Sequence, residues 1–115
     1  YRVSSTSDRM GCRMEGPTIA HLGQAEIISD GVPLGAVQVP PDGRPIVLLA
    51  DRQTTGGYPK IAQAATVDLS VLAQARPGDR IRFQEISVTE AQDLYRAREA
   101  ALEKLKRALK LREEM

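Results

Sequence analysis

The densest group of chemically able side chains in this sequence lies between two apolar runs. Pro45–Ala50 (P-I-V-L-L-A) is apolar at successive positions, the pattern of a strand buried on both faces. It runs into Asp51, Arg52, Gln53, Thr54 and Thr55, then Gly56, Gly57, Tyr58, Pro59 and Lys60, before a second apolar run opens at Ile61. A carboxylate, an amide, a phenol and an ammonium thus share one connection between rigid elements. Binding and catalytic groups tend to sit on loops held in this way. Gly56 and Gly57 allow positive φ or close approach of the backbone to a ligand. Two readings fit the loop. It is either a binding loop or an ordinary Thr-Thr-Gly-Gly connection, with Asp51 bonding backbone amides at the strand end.

Other candidate groups are weaker. Ser7-Asp8-Arg9-Met10-Gly11 sets two opposite charges beside a glycine. On its own it reads as a turn with a local ion pair, worth little at a surface. Cys12 as a nucleophile would need a basic partner, and His21 is the single histidine. Nothing in the spacing joins them, so Cys12 reads as a packing residue. His21 alone makes no zinc site, which takes several His or Cys ligands, and no metal site is expected. Gly56-Gly57-Tyr58-Pro59-Lys60 departs from the G-x-x-x-x-G-K-[ST] spacing of a nucleotide loop, and no helix pattern follows it. Its backbone amides remain able to meet an anion.

The elements that position these groups are mostly short strands. Tyr1–Ser4 is a strand candidate. Cys12–Glu15 alternates apolar and charged residues and ends at Gly16-Pro17. Residues 25–29 form a weak strand closed by Asp30-Gly31. Gly35–Val39 alternates, with Val37 and Val39 on one face and Ala36 and Gln38 on the other, and pairs with Pro45–Ala50 as a hairpin across the Pro40–Arg44 loop. Ile61–Val67 reads as a strand. Asp68 is the N-cap of a short helix to Gln74. Arg80–Ile86 alternates cleanly as a further strand. Ser87–Glu90 is a capping box, opening a long helix over 88–112. Its apolar stripe is Ala91, Leu94, Tyr95, Ala101, Leu102, Leu105, Ala108 and Leu109, expected to pack on the strands or on a second copy of itself. Glu103 and Arg107 are spaced to pair. The order of elements makes the chain mainly β, a barrel or sandwich over residues 1–86 with a C-terminal helix over 87–115.

The chain has 115 residues, a net charge of +1 and one cysteine. One domain is the natural count. The charge gives no pull toward nucleic acid or membrane. The basic residues of the last helix are interleaved with glutamates, as on a solvated face. One cysteine permits no internal disulfide and suits a reducing, cytoplasmic setting. No apolar run approaches the roughly 20 residues of a membrane span. The chain starts at Tyr1, in what reads as mid-strand, and is expected to be part of a longer protein.

Several segments together resemble one family. They are S-D-R-M-G at Ser7–Gly11, M-E-G at Met14–Gly16, I-S-D-G at Ile28–Gly31, G-A-V-Q-V-P at Gly35–Pro40 and, most specifically, L-A-D-R-Q-T-T-G-G-Y-P-K-I-A at Leu49–Ala62. The resemblance is to the biotin-dependent carboxyltransferase family. That family includes allophanate hydrolase subunit 2, the C subunit of 5-oxoprolinase, KipA-like antagonists of a kinase inhibitor, and the carboxyltransferase domain of urea carboxylase. It covers Tyr1 to about Ala91. The family often carries an aromatic where Cys12 stands, and the helix after Ala91 is longer than its pattern.

The resemblance implies two cyclophilin-like β-barrel halves, of which this chain matches the later part of the second. It implies a ligand site between the halves near Asp51, Gln53, Gly56, Gly57, Tyr58 and Lys60, with Asp8, Arg9 and Gln38 as further binding residues. Lys60 would stabilise a developing oxyanion. Asp51 would bond an amide N–H or act as base, and Tyr58 would donate one hydrogen bond and stack on a flat ligand. The implied function is ATP-dependent opening of 5-oxoproline to glutamate. The implied partners resemble the A and B subunits of 5-oxoprolinase, the B-like one being KipI-like. The alternatives are KipA-like regulation and biotin-dependent carboxyl transfer to urea or a related amide. ATP belongs to the complex and biotin to a carrier protein; neither is expected on this chain. The chain alone is expected to be inactive, and a homo-oligomer is one expected state. A cyclophilin-like fold does not by itself imply prolyl isomerisation, and one phenylalanine with no tryptophan would line a proline pocket poorly.

Overall fold

The structure, a computed structural model, describes residues 1–23 and 27–114, the last five by backbone alone. Seven strands, β1 (Arg2–Val3), β2 (Gly11–Glu15), β3 (Asp30–Gly31), β4 (Ala36–Gln38), β5 (Ile46–Leu48), β6 (Thr55–Gly56) and β7 (Lys60–Gln63), precede a 3-10 turn (Thr66–Asp68), helix α1 (Leu69–Gln74) and helix α2 (Val88–Glu114). The chain divides into two compact units, Tyr1–Phe83 and Gln84–Met115.

In the first unit an antiparallel five-stranded sheet runs in the order β1-β2-β5-β4-β7. β5 sits at its centre and is buried on both faces: Ile46 is 8% exposed, Val47 0% and Leu48 9%. The unbroken apolar run of Pro45–Ala50 reflects that position. The expected hairpin forms, with Val37 opposite Val47 and Gln38 opposite Ile46. Gly43 in its loop takes φ +76°, and a side chain there would meet the Ile19 carbonyl at 2.8 Å. Only glycine suits that turn.

Paired residues share a face, so the register sorts the side chains. Cys12, Val47 and Val37 stand in one row. With Val3, Met14, Leu49 and Leu72 of α1 they form the main core. Arg13, Ile46 and Gln38 stand in the neighbouring row, on the opposite face. There a second apolar cluster forms from Val32, Ala36, Ile46 and Leu48. β2 shows the expected alternation, with Cys12 and Met14 buried and Arg13 and Glu15 exposed. Burial raises the Cys12 thiol above its ordinary pKa, against a smaller opposing effect of a hydrogen bond with Ser7. That environment suits packing rather than nucleophilic attack.

Several expected elements change. The strand expected over Ile61–Val67 starts at Lys60 and stops at Gln63, because the chain turns at Ala65, whose carbonyl accepts from the Asp68 amide at 2.9 Å. Asp68 precedes α1 but makes no side-chain cap bond. The strand expected over Arg80–Ile86 reduces to one bridge, Arg2 with Arg80, and paired bonds between the Tyr1 and Ile81 backbones. Alternation gives a strand its two-sided pattern but not a partner, and beyond Ile81 no backbone pairing forms among the described residues. The strand expected at 25–29 lies partly outside the described residues, and its described part, Ile27–Ser29, is not a strand. Among the described residues the sheet does not close into a barrel, since β1 and β7 are its two ends.

α2 starts where the capping box places it: Ser87 Oγ accepts from the Glu90 amide at 3.1 Å. Glu103 and Arg107 approach to 3.9 Å. Leu94, Leu102, Leu105 and Leu109 of its apolar stripe are 46–55% exposed. No described helix is long and apolar enough to cross a membrane.

The contrast in burial has a measurable outcome. Met14→Ala, at a site 1% exposed, should cost about 2–5 kcal/mol by urea denaturation. Leu105→Ala, at 55% exposure, should cost under about 1 kcal/mol.

Candidate functional site

The second face of the sheet carries a cleft of about 860 Å³. Its floor is the row Arg13, Ile46 and Gln38 with Gly11 and Leu48. Its wall is a two-stranded ribbon of β3 and β6, in which Asp30 faces Gly56 and Gly31 faces Thr55. The ribbon continues through Val32 N–H to the Thr54 carbonyl at 2.9 Å.

Two cations hold this ribbon against the sheet. Lys60 lies opposite Gln38 in the sheet, across a bulge. Its Nζ donates to the Gly31 carbonyl at 2.8 Å and to Asp30 Oδ2 at 3.4 Å. Arg52 Nε donates to the Val32 carbonyl at 2.8 Å. The loop is thus braced rather than free. The Asp30 carboxyl is held below its ordinary pKa, first by the Gly31 amide and then by Lys60.

Gln38 is the notable polar group of the floor. It is 6% exposed and lines the cleft, and its side-chain amide has no hydrogen-bond partner among the described residues. Its amide atoms stay open to the cleft, where water or a ligand can pair with them. A Cβ on Gly56 would stand 2.8 Å from Gln38 Nε2 and 3.2 Å from Val32 Cγ2. Gly56 therefore lets the wall close onto the amide. Gln53, Gly57 and Tyr58 also line the cleft. Its charged lining residues are Arg13, Arg52 and Asp42, and Asp42 Oδ1 already accepts the Arg44 amide at 3.0 Å. The cleft is therefore biased toward a small anion or a polar neutral ligand.

Of the residues expected at a site, the structure brings Gln38, Gln53, Gly56, Gly57 and Tyr58 together. Asp51, Lys60, Asp8 and Arg9 lie outside the lining of this cleft. Asp51 is exposed, and its amide donates to the Arg9 carbonyl at 3.1 Å, so these two loops adjoin each other. The turn expected at Ser7–Gly11 forms, but among the described residues it is held by Asp8 Oδ1 accepting from the Met10 and Gly11 amides at 2.9 and 3.2 Å rather than by an Asp8–Arg9 ion pair. His21 Nε2 lies 2.8 Å from the Pro40 carbonyl. Sequence alone gives Arg52 and Arg13 no role. Arg52 stands inside the central motif, whereas Arg13 becomes visible only through strand register. A smaller hollow of about 560 Å³ at the Tyr1 edge has Arg2, Glu15 and Arg80 in its lining, and holds none of the central loop's groups.

Comparison with known proteins places the chain in a family. Residues 1–85 match the carboxyltransferase domain, subdomain A and B, and the chain belongs to that family. The 5-oxoprolinase C subunit of Haemophilus influenzae is 47% identical over 107 residues, 93% of this chain and 35% of its own length. That of Escherichia coli is 45% identical over 91 residues, 79% of this chain and 29% of its own length. The urea amidolyase of Lachancea kluyveri is 28% identical over 114 residues, 91% of this chain but 6% of its own length. A crystal structure of TTHA0988 superimposes with a TM-score of 0.64 at 48% identity, covering 73% of this chain and 16% of its own. The chain thus spans 35% and 29% of the two 5-oxoprolinase relatives.

Two outcomes test the geometry. Gly56→Ala should fold, at a cost of roughly 1 kcal/mol, because the clash falls on the end of a side chain. The Gln38 side-chain amide resonances should move, and an unchanged Gln38 spectrum would refute the contact. The Asp30 contribution has a defined sign. Its carboxylate is favoured in the fold, so the effect is complete above the ordinary value of 3.8 and fades as pH falls through the lower folded value. Exchange protection of the Gly31 amide should fall over that acid range, and Asp30→Asn should flatten the dependence.

Proposed function

We propose that this chain forms one wall of the substrate cleft in a protein like the C subunit of 5-oxoprolinase. With A-like and B-like companions, it acts in the opening of 5-oxoproline to glutamate at the expense of ATP. The observation that carries this reading is the Gln38 amide on the cleft floor, which makes no hydrogen bond among the described residues and stays open to the cleft, in a chain 47% identical to a 5-oxoprolinase C subunit.

The chemistry suits an amide substrate. A primary amide offers two donors and an acceptor. A lactam holds its N–H and C=O cis, on one edge, so the two amides close a ring of two hydrogen bonds. Tyr58, 37% exposed, offers an O–H and a flat ring beside it. Lys60, engaged with Gly31, braces the wall, so the binding step falls to Gln38, Arg52, Gln53 and Tyr58. The acid–base group then comes from Asp51 on the adjoining loop or from another part of the assembly. On this reading ATP belongs to the companion proteins. On this reading the 115 residues alone do not turn over substrate.

A second reading, carboxyl transfer to urea or a related amide, is favoured by the likeness to urea amidolyase, at 28% identity. Urea offers the same donor–acceptor edge. The full-length protein, reconstituted with its companions, should release glutamate from 5-oxoproline with ATP. Gln38→Leu should lower kcat/KM by about 10- to 100-fold, as expected when a buried polar contact to substrate is lost. Consumption of urea with a biotinylated carrier, and no glutamate release, would select the second reading instead.

A further inference from the structure

Arg52 carries an inference that the amide chemistry leaves unused. Its Nε is spent on the Val32 carbonyl at 2.8 Å. That bond fixes the guanidinium plane on the cleft wall. Its two terminal nitrogens make no hydrogen bond or ion pair among the described residues. Arg52 is half-buried and lines the cleft beside Val32, with Ile46 and Leu48 on the floor. A fixed, partly desolvated guanidinium with a free outer edge is the geometry that takes a carboxylate through two parallel N–H bonds.

Arg52 and Gln38 converge on one place. Val32 carries the carbonyl that anchors Arg52. A Cβ on Gly56 would touch both Val32 Cγ2, at 3.2 Å, and Gln38 Nε2, at 2.8 Å. The amide reader and the cation are therefore neighbours across the Val32–Gly56 step. Arg13 adds a second positive charge on the same floor, and the lining acid, Asp42, is occupied by the Arg44 amide.

We infer that Arg52 and Gln38 form a two-point site for a small, anionic cyclic amide, with Gln38 pairing the cis-amide edge and Arg52 the carboxylate. The inference rests on the reading of the cleft as an amide site and goes further, because it excludes neutral amides as preferred ligands. A neutral amide would leave Arg52 without its counter-ion.

The test is calorimetric binding to the full-length protein assembled with its companions. The probes are 5-oxoproline, its methyl ester and 2-pyrrolidinone, the same ring without the acid. The wild type should bind 5-oxoproline about 10- to 100-fold tighter than either neutral probe, the range of a charge-assisted contact. Arg52→Gln should abolish that preference, costing 5-oxoproline about 10-fold more than 2-pyrrolidinone, while Gln38→Leu should weaken all three. Should Arg52→Gln fail to fold, the wild-type ratio of acid to ester still decides. Equal binding of acid and neutral probes, equal losses on all three in Arg52→Gln, or no binding of any probe overturns the inference. Acid-selective binding without ring opening would sink the proposed activity alone. Ring opening without acid selectivity would sink the two-point site alone.

Discussion

The arrangement depends on β5 being buried on both faces. Val47, fully buried, commits one side of the strand to the main core with Cys12 and Val37. Ile46 and Leu48 must then face the other way, and they bring Gln38 and Arg13 with them by register. A slip of one residue would exchange Gln38 for Val37 and place an amide in the core. The hydrophobic demand of the core therefore positions the polar floor of the cleft, without any polar contact to steer it.

The wall is held by a different kind of force. A two-stranded ribbon as short as β3–β6 is marginal by itself. Here its carbonyls accept hydrogen bonds from two cations that reach it from opposite flanks, Lys60 at Gly31 and Arg52 at Val32. Both donors come from the chain immediately around β6, so the loop that lines the cleft also supplies its braces. Arg52 differs from Lys60 in lining the cleft and in keeping both terminal guanidinium nitrogens unbonded among the described residues.

Many of the chemically able side chains serve structure instead. Asp8 closes a backbone turn, Asp42 holds the Arg44 amide, His21 meets the Pro40 carbonyl and Cys12 fills the core. Loops need their amides and carbonyls satisfied, and short polar side chains are the nearest means. Subtracting them leaves, among the described residues, a small polar set on the cleft without side-chain partners: Arg13, Gln38, Gln53, Tyr58 and the outer edge of Arg52.

Local pattern alone determined much of this protein. The unbroken apolar run of Pro45–Ala50 marked the central strand, and the alternation in Cys12–Glu15 marked a half-exposed one. The capping box at Ser87 marked the start of the long helix, and the Leu49–Ala62 motif marked the family. Each signal lies within a few residues and needs no partner. Where a partner was needed, the pattern said less: Arg80–Ile86 alternates well, but among the described residues it pairs only at Arg80 and Ile81. The site followed the same division. Gly56, Gly57 and Tyr58 were visible as a loop, yet the union of that loop with Gln38 and Arg13 exists only through strand pairing. The spare capacity of Arg52 and the engagement of Lys60 also follow from distances between residues far apart in the chain. Chemical type is a property of one residue. Whether its donors are already spent is a property of its neighbours, and only the tertiary structure sets those.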